Sequence, residues 1–128
     1  MYAVAEQQLI RRGESDDEKG LGLFVFGQFG WTEDSVSPSK FHGAGGVVLK
    51  GTFPSRDGDS TGVYVSFDDL SDSLGAPYSG DETTIEVYYK FRVTPFINIT
   101  PDFIYVFNPG GANLEDAVVG QLRVEVLF

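Results

Sequence analysis

Cysteine is missing from all 128 residues, which rules out a disulfide framework and any thiolate metal site. Histidine occurs once, as His42, so an imidazole cluster or a His-to-His proton relay has no second member; His42 reads as an ordinary strand residue. Basic residues are few. Nine Lys and Arg stand against nineteen Asp and Glu, for a formal net charge of −10, and a nucleic-acid partner would need clustered cations to neutralise phosphates. No stretch approaches the ~18 consecutive apolar residues of a membrane-spanning helix. That excludes helical spans and leaves strand spans open, because barrel strands alternate lipid-facing and lumen-facing residues and give a weaker hydropathy signal. The start, Met1-Tyr2-Ala3-Val4-Ala5-Glu6, lacks the basic and apolar regions of a secretory signal. For an exported protein this implies a signal already removed, or a longer parent chain. Helical periodicity is scarce as well: between Tyr2 and Arg12, the residues Ala3, Ala5, Leu9 and Ile10 form no helical stripe.

What the chain has is aromatics, glycine and a period of two. Aromatic residues make up 14%, led by 11 Phe and 6 Tyr, with 16 Gly beside them; the length suits one domain. Turn-forming residues divide the chain into seven strand-like runs, at about 2–11, 20–32, 40–53, 60–68, 83–94, 96–108 and 119–128. Most match the ~9–11 residues of a tilted membrane strand rather than the ~5–6 typical of globular sheets. Alternation is sharpest near the C-terminus. Ile85, Val87, Tyr89, Phe91 and Val93 oppose Thr84, Glu86, Tyr88, Lys90 and Arg92. Ile97, Ile99, Phe103, Tyr105 and Phe107 oppose Asn98, Thr100 and Asp102. Leu122, Val124, Val126 and Phe128 oppose Gln121, Arg123 and Glu125. One apolar and one polar face is what a sheet between two different solvents requires. The expected fold is all-β: an antiparallel transmembrane β-barrel segment.

Connections alternate in length on this reading. Val93-Thr94-Pro95-Phe96 and Pro54-Ser55-Arg56-Asp57-Gly58 are tight turns, whereas 70–82 and 109–117 are longer loops rich in Ser, Asp, Gly and Pro. Short turns at one end and longer loops at the other describe outer-membrane barrels. The charged connector 12–19 breaks the pattern and reads as a long turn.

The stretch from Tyr88-Tyr89-Lys90-Phe91 through Thr94-Pro95 and Thr100-Pro101-Asp102 to Asn108-Pro109-Gly110-Gly111 resembles the C-terminal part of the carbohydrate-selective porin (OprB-like) family. Gln121-Leu122-Arg123-Val124 with the terminal Phe128 resembles that family's last strand. Tyr2-Ala3-Val4-Ala5-Glu6-Gln7 and Gly22–Trp31 are similar to earlier family strands. The resemblance implies a barrel of sixteen strands, of which this chain supplies about seven as its C-terminal portion, in a bacterial outer membrane. It implies passive diffusion of carbohydrates and other small polar solutes, with no cofactor and no covalent chemistry. It also implies that the last strand is read by the barrel-assembly machinery. Seven strands do not close a wide pore, and bacterial single-chain barrels have even counts.

Candidate chemistry follows from the polar faces. Glu86, Tyr88, Lys90, Arg92, Asn98, Asp102, Gln121, Arg123 and Glu125 would line a water-filled lumen. Carboxylates and guanidinium groups exchange hydrogen bonds with sugar hydroxyls, and rings stack on sugar C–H faces. Trp31, Tyr89, Phe96, Phe107 and Phe128, with Phe29, fit interfacial aromatic girdles. The run Gly43-Ala44-Gly45-Gly46 leads into no helix and is no phosphate loop; close packing within a strand explains it. Asp57-Gly58-Asp59 lacks the full spacing of a calcium loop and reads as a hairpin turn. Asn98-Ile99-Thr100 is a sequon in mid-strand without further meaning. No enzyme constellation is present. A soluble, secreted β-sandwich that binds glycans is the alternative, and a complete eight-stranded barrel lacks an eighth strand.

Overall fold

The computed structural model describes residues 1–11, 21–32, 39–70, 80–111 and 114–128. Its strands are β1 (Tyr2–Arg11), β2 (Gly22–Trp31), β3 (Ser39–Lys50), β4 (Ser60–Leu70), β5 (Asp81–Thr94), β6 (Ile97–Phe107) and β7 (Ala117–Val126), with one 3-10 turn at Pro109–Gly111. They form a single antiparallel sheet in sequence order, β1 to β7. The connector 12–19 lies outside the described residues.

Every strand has 10 to 14 residues, the length needed to cross a bilayer at a tilt. Sequence bounds and observed bounds differ where backbone geometry decides. The third strand stops at Lys50 rather than Phe53, because Gly51 takes φ 70° and its N–H closes the turn on the Asp59 carbonyl at 2.8 Å. The last strand sits earlier than its apolar pattern suggests: Ala117 already pairs with Val106, and Val126 is the last paired residue, opposite Ile97.

The expected contrast between short and long connections is weaker than the turn residues imply. Pro95-Phe96 is tight, but residues 51–59 join β3 to β4 with as long a segment as 108–116, which join β6 to β7.

Register fixes the two faces. Across β3 to β7, one face carries the rows Gly46–Tyr64–Glu86, Gly62–Tyr88–Asp102–Gln121 and Thr100–Arg123. The other carries Val47–Val63–Val87–Phe103 and Ile99–Val124. The β5/β6 ladder skips from Tyr88↔Asp102 to Phe91↔Ile99, where Pro101 has no N–H to offer.

Burial is inverted relative to a protein folded in water. Among the described residues the one buried hydrophobic is Leu21, while Asp59, Ser66, Asn98, Thr100 and Asp102 are buried. Val63, Val65, Phe67, Val87, Phe91, Phe103, Leu122 and Val124 are exposed. A sandwich would bury those residues under a second sheet, and among the described residues there is one layer. A large, continuous apolar face marks contact with something other than water.

Candidate functional site: the polar face of the sheet

The nine candidate pore-lining residues come together. Register places Tyr88 beside Asp102 and Asp102 beside Gln121; Arg92 faces Asn98 and Asn98 faces Glu125; Glu86, Lys90 and Arg123 occupy the same face. Lys90 Nζ lies 3.6 Å from Glu125 Oε2, reaching over β6. Glu86, Tyr88, Lys90, Asp102, Arg123 and Glu125 border a hollow of about 490 Å³ whose other side is formed by Phe24, Phe26 and Lys50. Lys50 Nζ sits 4.4 Å over the Phe24 ring, a cation–π contact. Both signs of charge therefore face one space. No group of three His, Asp or Glu side chains gathers as a metal cradle among the described residues.

The five candidate interfacial aromatics divide between the two ends. Trp31 and Phe107 close β2 and β6 at one end. There, on the apolar face, Phe41 meets Phe29 at 5.1 Å and Phe67 at 6.2 Å, and Tyr105 meets Phe107 at 4.5 Å. Tyr89 belongs to the other end, 4.3 Å from Phe91 and 6.1 Å from Phe53. Phe96 sits in the β5–β6 turn, and Phe128 follows β7. From Thr83, opposite Phe67, to Phe91 is roughly 26 Å of strand at ~3.3 Å per residue. At a tilt of ~40° this spans about 20 Å, near the ~25 Å apolar band of outer-membrane barrels.

Two arrangements escape a reading of the sequence. In the first, His42 on β3 bridges its neighbours on the polar face: Nδ1 lies 2.6 Å from Asp68 Oδ1 on β4, and Nε2 lies 2.8 Å from Gln28 Nε2 on β2. With Nδ1–H donating to Asp68, Nε2 accepts from the Gln28 amide, so the neutral ring satisfies both partners. The second is Asp59 at the end of the 51–59 turn, only 2% exposed. Its Oδ1 accepts from the Arg92 N–H at 2.8 Å and Arg56 Nη2 at 3.3 Å, and its Oδ2 from the Tyr89 hydroxyl at 2.8 Å and Arg56 Nε. Burial works against the ionised form, but the hydrogen bonds from Arg56, the Arg92 N–H and Tyr89, with the Arg56 charge, outweigh it. They hold the carboxyl below the ordinary carboxylate range. The hydrogen bond and charge of Asp59 in turn raise Arg56. Asp57-Gly58-Asp59 is thus a hairpin turn, as its spacing suggested, whose last carboxylate ties the turn to β5. The glycine run also meets its expectation, since a Cβ on Gly46 would come within 2.8 Å of the Phe26 ring.

A seven-stranded sheet with one polar and one apolar face and aromatics at both ends matches a known family along its whole length. A family model described as carbohydrate-selective porin, OprB family, covers residues 1–128. The chain belongs to that family. Porin B of Pseudomonas aeruginosa is 24% identical over 99% of this chain and 32% of its own length. An uncharacterized protein of Nostoc sp. (strain PCC 7120) is 33% identical over 57% of this chain and 13% of its own. The fold of this OprB-family chain is likewise that of a solved porin: the high pH structure of Pseudomonas putida OprB superposes with a TM-score of 0.85 at 23% identity, over 98% of this chain and 34% of that one. The chain spans about a third of the length of the porins it matches.

Proposed function

We propose that this chain forms the C-terminal part of a sixteen-stranded outer-membrane porin through which carbohydrates and other small polar solutes diffuse passively. Family membership supports a channel rather than an enzyme. The observation that carries the reading is the inverted sheet: a mixed-charge polar face opposite an exposed apolar one. An apolar outer solvent and a wet interior demand that arrangement.

In this reading Glu86, Tyr88, Lys90, Arg92, Asn98, Asp102, Gln121, Arg123 and Glu125 face the lumen. The rings at the two ends of the sheet, among them Trp31, Tyr89, Phe96, Phe107 and Phe128, sit at headgroup level. The β7 strand and Phe128 present the assembly signal on the periplasmic side. Contacts with solute stay weak, so that a molecule leaves as readily as it enters.

Planar-bilayer recordings of the complete barrel test this. Arg92→Ala with Arg123→Ala removes two lumenal cations and shifts ion selectivity toward cations. Unchanged conductance and selectivity would remove both residues from the pore wall. A purified, folded protein that forms no channel would refute the reading as a whole.

A further inference from the structure

Residues 51–59 join β3 to β4 at the same end of the sheet as the β5–β6 turn, and they place a cation on the side away from the polar face. Register opposes Ser60 to Lys90 on the polar face and Thr61 to Tyr89 on the apolar one. Asp59, one step before Ser60, therefore belongs to the apolar side, where it accepts from the Tyr89 hydroxyl at 2.8 Å. Arg56 follows its partner there: its Cζ lies 5.9 Å from the centre of the Phe91 ring. Tyr89 is 4.3 Å from Phe91 and 6.1 Å from Phe53. A guanidinium among these rings stands at the rim of the apolar face, where hydrocarbon gives way to headgroups.

Asp59 does not use up this cation. It engages the Nε and Nη2 side of the guanidinium, yet the Arg56 side chain remains 47% exposed, which leaves the other side of the fork open to a further acceptor. The turn is set beforehand. Ser55 holds a left-handed φ of 69°, the Arg56 N–H donates to the Phe53 carbonyl at 3.1 Å, and the Asp59 N–H donates to the Arg56 carbonyl at 3.0 Å. Arg56, Asp57, Asp59 and Arg92 border one hollow of about 150 Å³. Two guanidinium groups and two carboxylates leave it without net formal charge. Asp57 is exposed, and the donors that hold Asp59 are Arg56, Tyr89 and the Arg92 N–H.

We propose that this rim seats one phospholipid whose headgroup carries its own ammonium, of the phosphatidylethanolamine type, with Arg56 donating to the phosphate and Asp57 accepting from the ammonium. The proposal rests on the porin reading, which puts the apolar face in lipid, and adds a lipid-specific contact outside the pore. Charge selects the occupant. A guanidinium fork meets phosphate oxygens through paired N–H groups. A headgroup of net negative charge meets Asp57 as well as Arg56, whereas a zwitterion pairs each of its charges with an opposite one. The acyl chains then run over the exposed apolar face that begins at Phe91 and Val87. Because the turn is already closed by its own hydrogen bonds, little ordering is left to oppose binding.

Native mass spectrometry of the complete barrel in detergent tests this, with short-chain phosphatidylethanolamine, short-chain phosphatidylglycerol and soluble O-phosphoethanolamine as probes. A cooperative melt followed by circular dichroism reports that each variant has assembled. Phosphatidylethanolamine is expected to bind more tightly than phosphatidylglycerol, and O-phosphoethanolamine far more weakly than either. Asp57→Asn lies outside the Asp59 cluster and should weaken phosphatidylethanolamine about 3- to 10-fold, the range of one lost charged contact, while leaving phosphatidylglycerol no weaker. Arg56→Lys keeps a cation beside Asp59, loses the fork, and should weaken both lipids. No retained lipid, equal affinity for the two lipids, unchanged phosphatidylethanolamine binding in Asp57→Asn, or O-phosphoethanolamine binding as tightly as the lipid would overturn the seat and leave the porin reading standing. A complete protein that folds as a soluble monomer without detergent would overturn both.

Discussion

At the residue scale, the position with most at stake outside the pore is Asp59. A carboxylate 2% exposed survives in that turn because Arg56, Tyr89 and the Arg92 N–H all donate to it. Asp59→Ala removes the acceptor and leaves those donors unpaired, which should destabilise the barrel by about 2–3 kcal/mol, the size of a charged hydrogen-bond cluster. Denaturant unfolding followed by circular dichroism measures this. The pH dependence has a definite sign. The folded carboxyl lies below its unfolded value of ~3.9, so its contribution is complete above about pH 4 and is lost as the pH falls through the lower folded value. Asp59→Asn should therefore lose part of the wild-type decline in stability on acidification, and an identical acid profile would contradict the assignment. Gly46 gives a second residue-scale prediction. Ala there presses on a backbone carbonyl 2.5 Å away as well as on the Phe26 ring, and should cost roughly 1–3 kcal/mol by overpacking in the same assay.

At the scale of the element, the strands and their faces were legible in the sequence, because a period of two needs no knowledge of neighbours. All nine polar candidates share a face for that reason. What the sequence did not carry is pairing between distant strands. His42 finds Gln28 and Asp68 only once the β2–β3 and β3–β4 registers are set, 14 and 26 residues away in the chain. Asp59 meets Tyr89 and Arg92 at separations of 30 and 33. The ends of β3 and β7 differ from the sequence bounds because apolar character continues past the last paired residue, as at Phe53, Leu127 and Phe128. The faces themselves make a prediction. Val65→Arg puts a charge in the middle of the apolar face and should cost ~2–4 kcal/mol in a bilayer. Thr84→Arg, on the polar face next to Ser66, should cost far less. Equal penalties in bilayer unfolding measurements would mean that the two faces see the same solvent.

At the scale of the whole molecule, β1 and β7 are the outer strands of the sheet with no partner on their far side among the described residues, and both run in the same direction. Backbone groups at an open edge cannot remain unpaired in hydrocarbon, so in the proposed barrel the outer edges of β1 and β7 are each paired with a further strand. The isolated 128-residue chain, with its apolar face uncovered, should aggregate in buffer and gain stable β-structure only with detergent. Circular dichroism and sedimentation in the two conditions read this out, and a soluble, cooperatively melting monomer would argue for a packed sandwich instead.

In the proposed barrel one face of the sheet meets water and the other meets lipid, and because this chain contains no cysteine, thiols introduced into it can be read directly once any cysteine elsewhere in the barrel has been replaced. Single cysteines would be placed at successive β5 positions, Ile85 through Lys90, in the complete barrel reconstituted in bilayers. Each is then tested with a membrane-impermeant thiol reagent and with a fluorophore exposed to a lipid-borne quencher. The two signals should alternate strictly, with labelling from water at 86, 88 and 90 and quenching by lipid at 85, 87 and 89. Odd positions shielded from both water and lipid, as in the core of a soluble sandwich, would contradict it.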